Sequence, residues 1–432
     1  MRVTTTEASL RGLEEVVGGE HIRPGTPAEA VCGVVPEVVV APGSQEEVAA
    51  VLAVADEHAL RVVPRGGGTK LAWGGPPRGL DILLSLERLD RLVEHSAGDL
   101  TLVAEAGMTL DAVQRALAGD RQFLALDAPL AERATLGGIV SANVAGPLRQ
   151  RYGGVRDQLI GITLARADGK LAKAGGKVVK NVAGYDLMKL LTGAFGTLGI
   201  MVRCAFRLYP LPEASGTVVA EVPDPERLRQ ALVATAGSTL APAAVGVLAG
   251  EARAGGAEGA RPLLAGRFAT VEAAVREQAE SLITLWRSHG LEPRLLDERS
   301  ETALWQAAGT TFWTADGGSA VCKATTTMTA VPAVVELVTS RGGSLLAHAL
   351  AGVSYLRLAG APEQVVGAIE EVRAGVRAQR GSLVVLDAPE PVRQGVDRWG
   401  PVDARALELM RRIKAEFDPR GTCSPGRFVG GI

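Results

Sequence analysis

The chain has 432 residues, with 47% hydrophobic and 22% charged side chains, and 46 Lys and Arg against 48 Asp and Glu leave a net charge of −2. That length accommodates two domains with separate cores, and the near-neutral balance gives bulk electrostatics no case for a nucleic-acid partner. No uninterrupted apolar run reaches the ~18 residues of a membrane span, and Glu7, Arg11, Glu14 and Glu15 stand where a signal peptide needs an apolar stretch. The expectation is a cytoplasmic chain without a transmembrane segment, with attachment to a membrane through a partner left open.

The first thirty residues are weakly patterned apart from a short helix around Ser9 to Val17. Glu37 to Ala41 reads as a strand. Ser44-Gln45-Glu46-Glu47 then has the form of a capping box, and Val48, Val51, Leu52 and Ala55 fall on one face of the helix behind it. A strand over Arg61 to Pro64 follows and runs into Gly66-Gly67-Gly68, so strand, helix, strand and loop form a βαβ-like unit. Glycine tolerates φ > 0 and close backbone approach, and successive N–H groups in such a turn suit a phosphate. On its own the loop fits an ordinary turn between strands equally well.

Further strands are expected at Leu80 to Leu86, Leu92 to Glu94 and Leu100 to Ala106, and a helix capped by Thr109 runs through Leu117. Thr135 to Val144 reads as a turn entering a helix with Gly137 and Gly138 at its start, where unpaired N–H groups favour negative charge. Ile160 to Ala167 and Lys170 to Ala174 form a hairpin about Asp168-Gly169. Asp186 stands at the start of a short helix to Leu191 as its cap, and a strand spans Met201 to Leu208. Neither G-x-G-x-x-G nor G-x-x-x-x-G-K-[ST] occurs, which argues against an NAD or ATP site.

Tyr209-Pro210-Leu211-Pro212 punctuates the chain. The expected domains are 30–213, 214–395 and a C-terminal segment, 396–432, that returns to the first. The second domain alternates strand-like runs (Ala244 to Leu248, Ser354 to Leu358) with helices (Val271 to Ser288, Pro362 to Ala378), and Ala249 to Ala260 reads as an exposed loop. Asp403 to Phe417 is a helix. Cys32, Cys204, Cys322 and Cys423 are far apart, and no C-x-x-C occurs, so the chain offers no zinc ribbon or iron–sulfur framework.

Several stretches acquire meaning together. Pro64-Arg65-Gly66-Gly67-Gly68-Thr69-Lys70 is followed by Ala134-Thr135-Leu136-Gly137-Gly138-Ile139-Val140-Ser141-Ala142-Asn143. Arg151-Tyr152-Gly153-Gly154, Asn181-Val182-Ala183-Gly184-Tyr185-Asp186 and Gly196-Thr197-Leu198-Gly199-Ile200 come next, and Phe417-Asp418-Pro419 with Ser424-Pro425-Gly426-Arg427 close the chain. In this order they resemble the FAD-binding domain of the vanillyl-alcohol oxidase and p-cresol methylhydroxylase superfamily. Within it they are most similar to the family of FAD-binding subunits of bacterial glycolate oxidase, the GlcE type. The resemblance is dense over about 36 to 213 and thin through the middle of the chain.

It implies an α+β fold: a two-part FAD-binding domain of the p-cresol methylhydroxylase type plus an α+β cap domain. It implies FAD held by Pro64, Arg65, Gly66, Gly67, Gly68, Thr69, Lys70, Thr135, Leu136, Gly137, Gly138, Ser141, Asn143, Gly199 and Ile200, within the segments 64–70, 134–143 and 181–200. Covalent attachment in the superfamily uses a His or Cys near the first or second motif. Residues 65–70 and 131–138 contain neither, so non-covalent FAD is expected.

Hydroxy-acid dehydrogenases of the superfamily carry two histidines seven residues apart as metal ligands. This chain keeps His348 and has Tyr355 at the second position, which makes a metal site unexpected. His348 is left as the candidate catalytic base, against the blander role of a solvated or core histidine. Arg267, Arg341 and Arg357 are candidate carboxylate binders with no spacing that selects one. Trp305, Phe312 and Trp313 read as core. Where family tails read Asn-Pro-Gly, Ser424 precedes Pro425-Gly426, which puts a flavin contact from an Asn amide in doubt.

The activity implied is oxidation of glycolate or a similar small 2-hydroxy acid to the 2-oxo acid. The implied partners are a catalytic flavoprotein subunit and an iron–sulfur subunit of the same complex. A chain that holds its own substrate and one that relays electrons for a partner both remain open.

Overall fold

The computed structural model describes residues 5–177, 185–253, 261–313 and 318–432. By contacts the chain divides into two compact units: 1–144, 154–210 and 401–432 form the first, and 145–153 and 211–400 the second. The mixture of helices with parallel and antiparallel sheets is α+β.

The first unit holds a four-stranded sheet in the order β1 (Ile22–Pro24), β2 (Val38–Val40), β4 (Ile82–Ser85), β3 (Val62–Arg65). β2 and β3 both run parallel to β4, so the expected βαβ unit is split by a strand inserted from further along the chain. Between β2 and β3 lies the helix Gln45–Glu57. Ser44 Oγ accepts from Glu47 N at 3.1 Å, and the Glu47 carboxylate reaches one residue beyond the cap, to Gly43 N at 2.7 Å. Val48, Val51, Leu52 and Ala55 are buried, as their spacing requires. Each such burial contributes about 1–3 kcal/mol.

A five-stranded antiparallel sheet follows, in the order β5 (Leu92–Ser96), β6 (Thr101–Glu105), β10 (Ile200–Arg207), β8 (Leu159–Ala165), β9 (Leu171–Gly175). β7 (Gln122–Phe123) pairs with β11 (Tyr209–Pro210). Thr109 caps the helix Leu110–Leu117 through Ala112 N, and Asp186 caps Leu187–Leu191 through Lys189 N.

The C-terminal segment closes this unit. Val62 N donates to Thr422 O and Ser424 N to Val62 O, both at 2.8 Å, so the tail covers the outer edge of β3. Asp418 fixes the turn that makes this possible. It is 2% exposed and accepts from Thr422 N at 2.9 Å, Cys423 N at 2.8 Å and Lys414 Nζ at 2.5 Å. Lys414 Nζ also donates to Thr197 O at 2.6 Å and Cys423 O at 2.8 Å.

The second unit is one antiparallel sheet of eight strands: β15 (Arg294–Leu295), β12 (Ala214–Glu221), β14 (Leu263–Thr270), β13 (Ala244–Ala249), β17 (Ser344–His348), β18 (Val353–Ala359), β16 (Ser319–Thr325) and β19 (Ser382–Asp387). Alternate residues of these strands, such as Val247, Ala347, Leu356 and Cys322, form one core with the buried faces of the helices Pro225–Gly237, Glu272–Ser288, Val331–Thr339 and Pro362–Ala378. The expectation of an exposed loop from Ala249 onward needs correction. Ala249 ends β13 and Ala252 is buried, because both extend the apolar pattern into the core; residues 254–260 lie outside the described ones.

Asp418→Ala is expected to cost about 3–5 kcal/mol, because it leaves the Lys414 ammonium and two backbone N–H groups without their acceptor. Urea unfolding followed through both units checks this; a shift below about 1 kcal/mol would remove Asp418 from its role in the tail.

Candidate functional site

β3 ends in Arg65, and the loop that follows lies against the turn before the helix Leu136–Ala142. A Cβ on Gly66 would fall on Thr135 Oγ1, and one on Gly67 on the Arg133 carbonyl oxygen. The glycines are therefore required first by contact between two backbone segments, which holds the loop in place. Gly68 takes φ +73° and Gly199 φ +135°, conformations that a side chain would strain.

Loop, turn and the start of β10 surround a cleft whose non-atom space, mouth included, is about 720 Å³. Of the sequence-derived candidates, Pro64, Gly66, Gly67, Gly68, Thr69, Lys70, Thr135, Gly137, Gly138, Ser141, Gly199 and Ile200 line it. Arg65, Leu136 and Asn143 do not. The Arg65 guanidinium donates to Glu29 Oε1 at 3.0 Å, Leu136 is fully buried, and Asn143 terminates its helix at φ +50°. Residues 178–184, which include the Asn181 to Gly184 part of the motif, lie outside the described ones.

Val63, Leu71, Leu86, Ala142, Phe195, Gly196, Met201 and Arg427 also line the cleft. Sequence reasoning could have found Phe195 and Gly196, which flank the quoted Gly199 motif, and Arg427, which ends the tail motif. Leu86 and Met201 are apolar strand residues with no local signal.

Lys70 sets the electrostatics of the cleft. It is 9% exposed, its Nζ bonds Thr69 Oγ1 at 3.0 Å, and no carboxylate pairs with it among the described residues. Burial pushes its pKa down to about 8. A buried ammonium without a carboxylate fits an anionic group such as a diphosphate, and the surrounding loop supplies room for close backbone approach.

In the second unit His348 is 2% exposed, and burial beside Arg149 and Lys323 pushes its pKa down to about 3. Neither a solvated histidine nor one satisfied in a core describes it, since neither ring nitrogen has a well-formed hydrogen bond, although the Ala145 backbone lies close. The arginine candidates are occupied: Arg267 pairs with Glu301, Arg341 with Glu371 and Arg357 with Glu251. Phe312 is buried, Trp305 Nε1 donates to Thr217 Oγ1 at 3.0 Å, and Trp313 packs edge-on to Tyr355. Among the described residues no three His, Cys, Asp or Glu side chains are grouped to ligate a metal. A neutral imidazole and a phenol beside two cations do not fit a divalent ion.

Residues 36–175 match the family model for an FAD binding domain, and residues 401–428 that for the C-terminal domain of FAD linked oxidases. The glycolate oxidase subunit GlcD of Bacillus subtilis is 35% identical over 186 residues, 43% of this chain and 39% of that protein. The D-lactate dehydrogenase of Archaeoglobus fulgidus is 38% identical over 174 residues, 40% of this chain and 39% of that one. The glycolate oxidase subunit GlcE of Escherichia coli is 34% identical over 171 residues, 39% of this chain and 48% of that one. These matches span between about two fifths and half of the relatives' length, and likeness to GlcD stands beside likeness to GlcE, so they do not single out the GlcE type. The structure of p-cresol methylhydroxylase with substrate bound superimposes with a TM-score of 0.75 at 14% identity, covering 98% of this chain and 97% of that one, which shows the shared fold. The cofactor of the chain is FAD.

The folded pKa of Lys70 near 8 lies below its ordinary 10.5. Burial of the ammonium therefore destabilises the cofactor-free chain fully below pH 8, and the penalty fades as pH rises toward the ordinary value. Without FAD, Lys70→Met is expected to raise stability at pH 7 by roughly 3 kcal/mol, with the gain shrinking toward pH 10. Urea titrations at the two pH values check it, and a loss of stability at pH 7 would refute an uncompensated charge.

Proposed function

We propose that this FAD-binding chain is an FAD-linked oxidoreductase acting on the CH–OH group of a small 2-hydroxy acid, glycolate foremost, as a flavoprotein subunit of a glycolate-oxidase-type complex. The observation that carries the reading is the cleft of the first unit. Three separate stretches of sequence converge on it, its loop cannot tolerate side chains at Gly66 or Gly67, and it holds a buried cation without a carboxylate among the described residues. The names of the similar proteins, two glycolate oxidase subunits and a D-lactate dehydrogenase, supply the substrate class.

When bound, FAD supplies the hydride acceptor. The chain's residues then have separable tasks. The backbone of Gly66 to Thr69 and the ammonium of Lys70 hold the diphosphate. Thr135, Gly137, Gly138, Ser141, Gly199 and Ile200 give the flat ring system a wall of small side chains and backbone. Among the described residues no histidine or cysteine lines the cleft, which supports a non-covalent cofactor. The relatives named as subunits support a complex in which a second flavoprotein and an iron–sulfur subunit take part. A stand-alone dehydrogenase of D-lactate is the second reading, favoured by the Archaeoglobus fulgidus relative.

FAD affinity is expected to fall as pH rises through about 8, because Lys70 then loses the proton that pairs it with the diphosphate. Lys70→Met should weaken binding roughly tenfold or more and flatten the profile. Gly67→Val should abolish cofactor retention, since its side chain would displace the loop from the Arg133 carbonyl; full flavin content in that variant would take the loop out of the site. The function is tested anaerobically by adding glycolate or D-lactate to the purified chain and following the visible flavin band. Bleaching of the chain alone establishes its own substrate site. Bleaching only after partner subunits are added establishes the relay role, and no bleaching with the full complex present would refute the reading.

A further inference from the structure

The second unit carries a polar island that its ion pairs do not account for. It lies on the sheet face opposite the four core helices, where three adjacent strands bring up His348, Tyr355 and Lys323. Lys323 stands directly across from Tyr355 between β16 and β18, and Tyr355 across from Leu346, two residues before His348, between β18 and β17. The His348 and Tyr355 rings are 5.6 Å apart and edge to face, and Lys323 Nζ is 6.0 Å from the Tyr355 centroid. Trp313 packs on the same ring at 4.7 Å.

The charges near this island share one sign. Lys323 and Arg149 both act on His348, and Arg149 acts on Lys323. Neither cation makes an ion pair among the described residues, whereas Arg267 and Arg357 on the same sheet are matched by Glu301 and Glu251. Burial beside Arg149 pushes Lys323 down to about 8. Two cations around a neutral imidazole repel a divalent metal and attract an anion. The imidazole adds an acceptor for a hydroxyl proton beside them.

We propose that Lys323 and Arg149, next to His348, form a receptor for the carboxylate of a small hydroxy acid that works without a divalent metal. The choice of a hydroxy acid rests on the proposed dehydrogenase function; the carboxylate chemistry follows from the cluster. Lys323 and Arg149 hold the carboxylate, and His348 accepts a hydrogen bond from the neighbouring hydroxyl.

The test is calorimetric titration of the FAD-loaded full chain with potassium oxalate, with flavin reduction by glycolate and D-lactate measured in parallel. One site is expected, unchanged by EDTA and at least roughly tenfold weaker in Lys323→Met. Wild-type affinity should fall as pH rises above about 8, while Lys323→Arg binds with a flat profile over the same range. Flavin content and melting temperature identify any variant that has not folded, and the pH profiles of the wild type and Lys323→Arg still decide the matter if Lys323→Met fails. Absence of oxalate binding, equal binding by Lys323→Met, or binding that requires added manganese or zinc overturns the receptor. Oxalate binding as described with no flavin reduction by any 2-hydroxy acid keeps the receptor and ends the dehydrogenase reading. Undiminished reduction in Lys323→Met does the reverse.

Discussion

The first unit depends on one guanidinium. Arg427, 3% exposed, donates to the carbonyls of Leu71 at 2.9 Å, Trp73 at 2.7 Å and Gly75 at 2.9 Å. These carbonyls belong to the stretch just past the glycine loop, which runs in no strand and so cannot satisfy them by sheet pairing. A planar fork of five donors can serve three acceptors at once, which a lysine cannot do in fixed geometry. The Gly75 amide returns a bond to the Arg427 carbonyl at 2.9 Å. The C-terminal tail thus fixes the loop that borders the cleft.

That arrangement explains why the tail must come back across the sheet. β3 is an edge strand, and the loop it delivers would inherit its freedom. Pairing of Val62 with the strand-like Thr422 to Ser424 removes the free edge, and Lys414 with Asp418 holds the returning turn. Rigidity of the cleft is built from the backbone, with charged side chains used to satisfy backbone groups.

Charge elsewhere is matched with similar care. Asp81 accepts from Arg61 and Glu105 from Arg91, each buried carboxylate with its own guanidinium. Lys70 in the first unit and Lys323 in the second break that pattern. Each is a buried ammonium with no carboxylate among the described residues, and each is held below its ordinary pKa by burial. An unmatched buried cation costs stability unless a ligand completes it, so these two positions mark where the fold accepts strain for binding. Both lie within the regions that chemistry would use.

Several features were legible in the chain by itself. Ser44, Thr109 and Asp186 announced their helices because a cap is a local bond between residues three apart. The glycine loop and the Thr135 to Ser141 stretch declared a cofactor site because close backbone approach restricts residue type wherever it occurs. Tertiary structure alone decided that β4 separates β2 from β3, that Arg65 turns to Glu29 and away from the cleft, and that Gly67 is required by the Arg133 carbonyl. It alone also brought Lys323 and Arg149 to His348, residues from three distant segments with no shared motif. Periodicity and caps are set by neighbours in sequence, whereas the sign of the charge around a side chain depends on which strands the sheet places side by side.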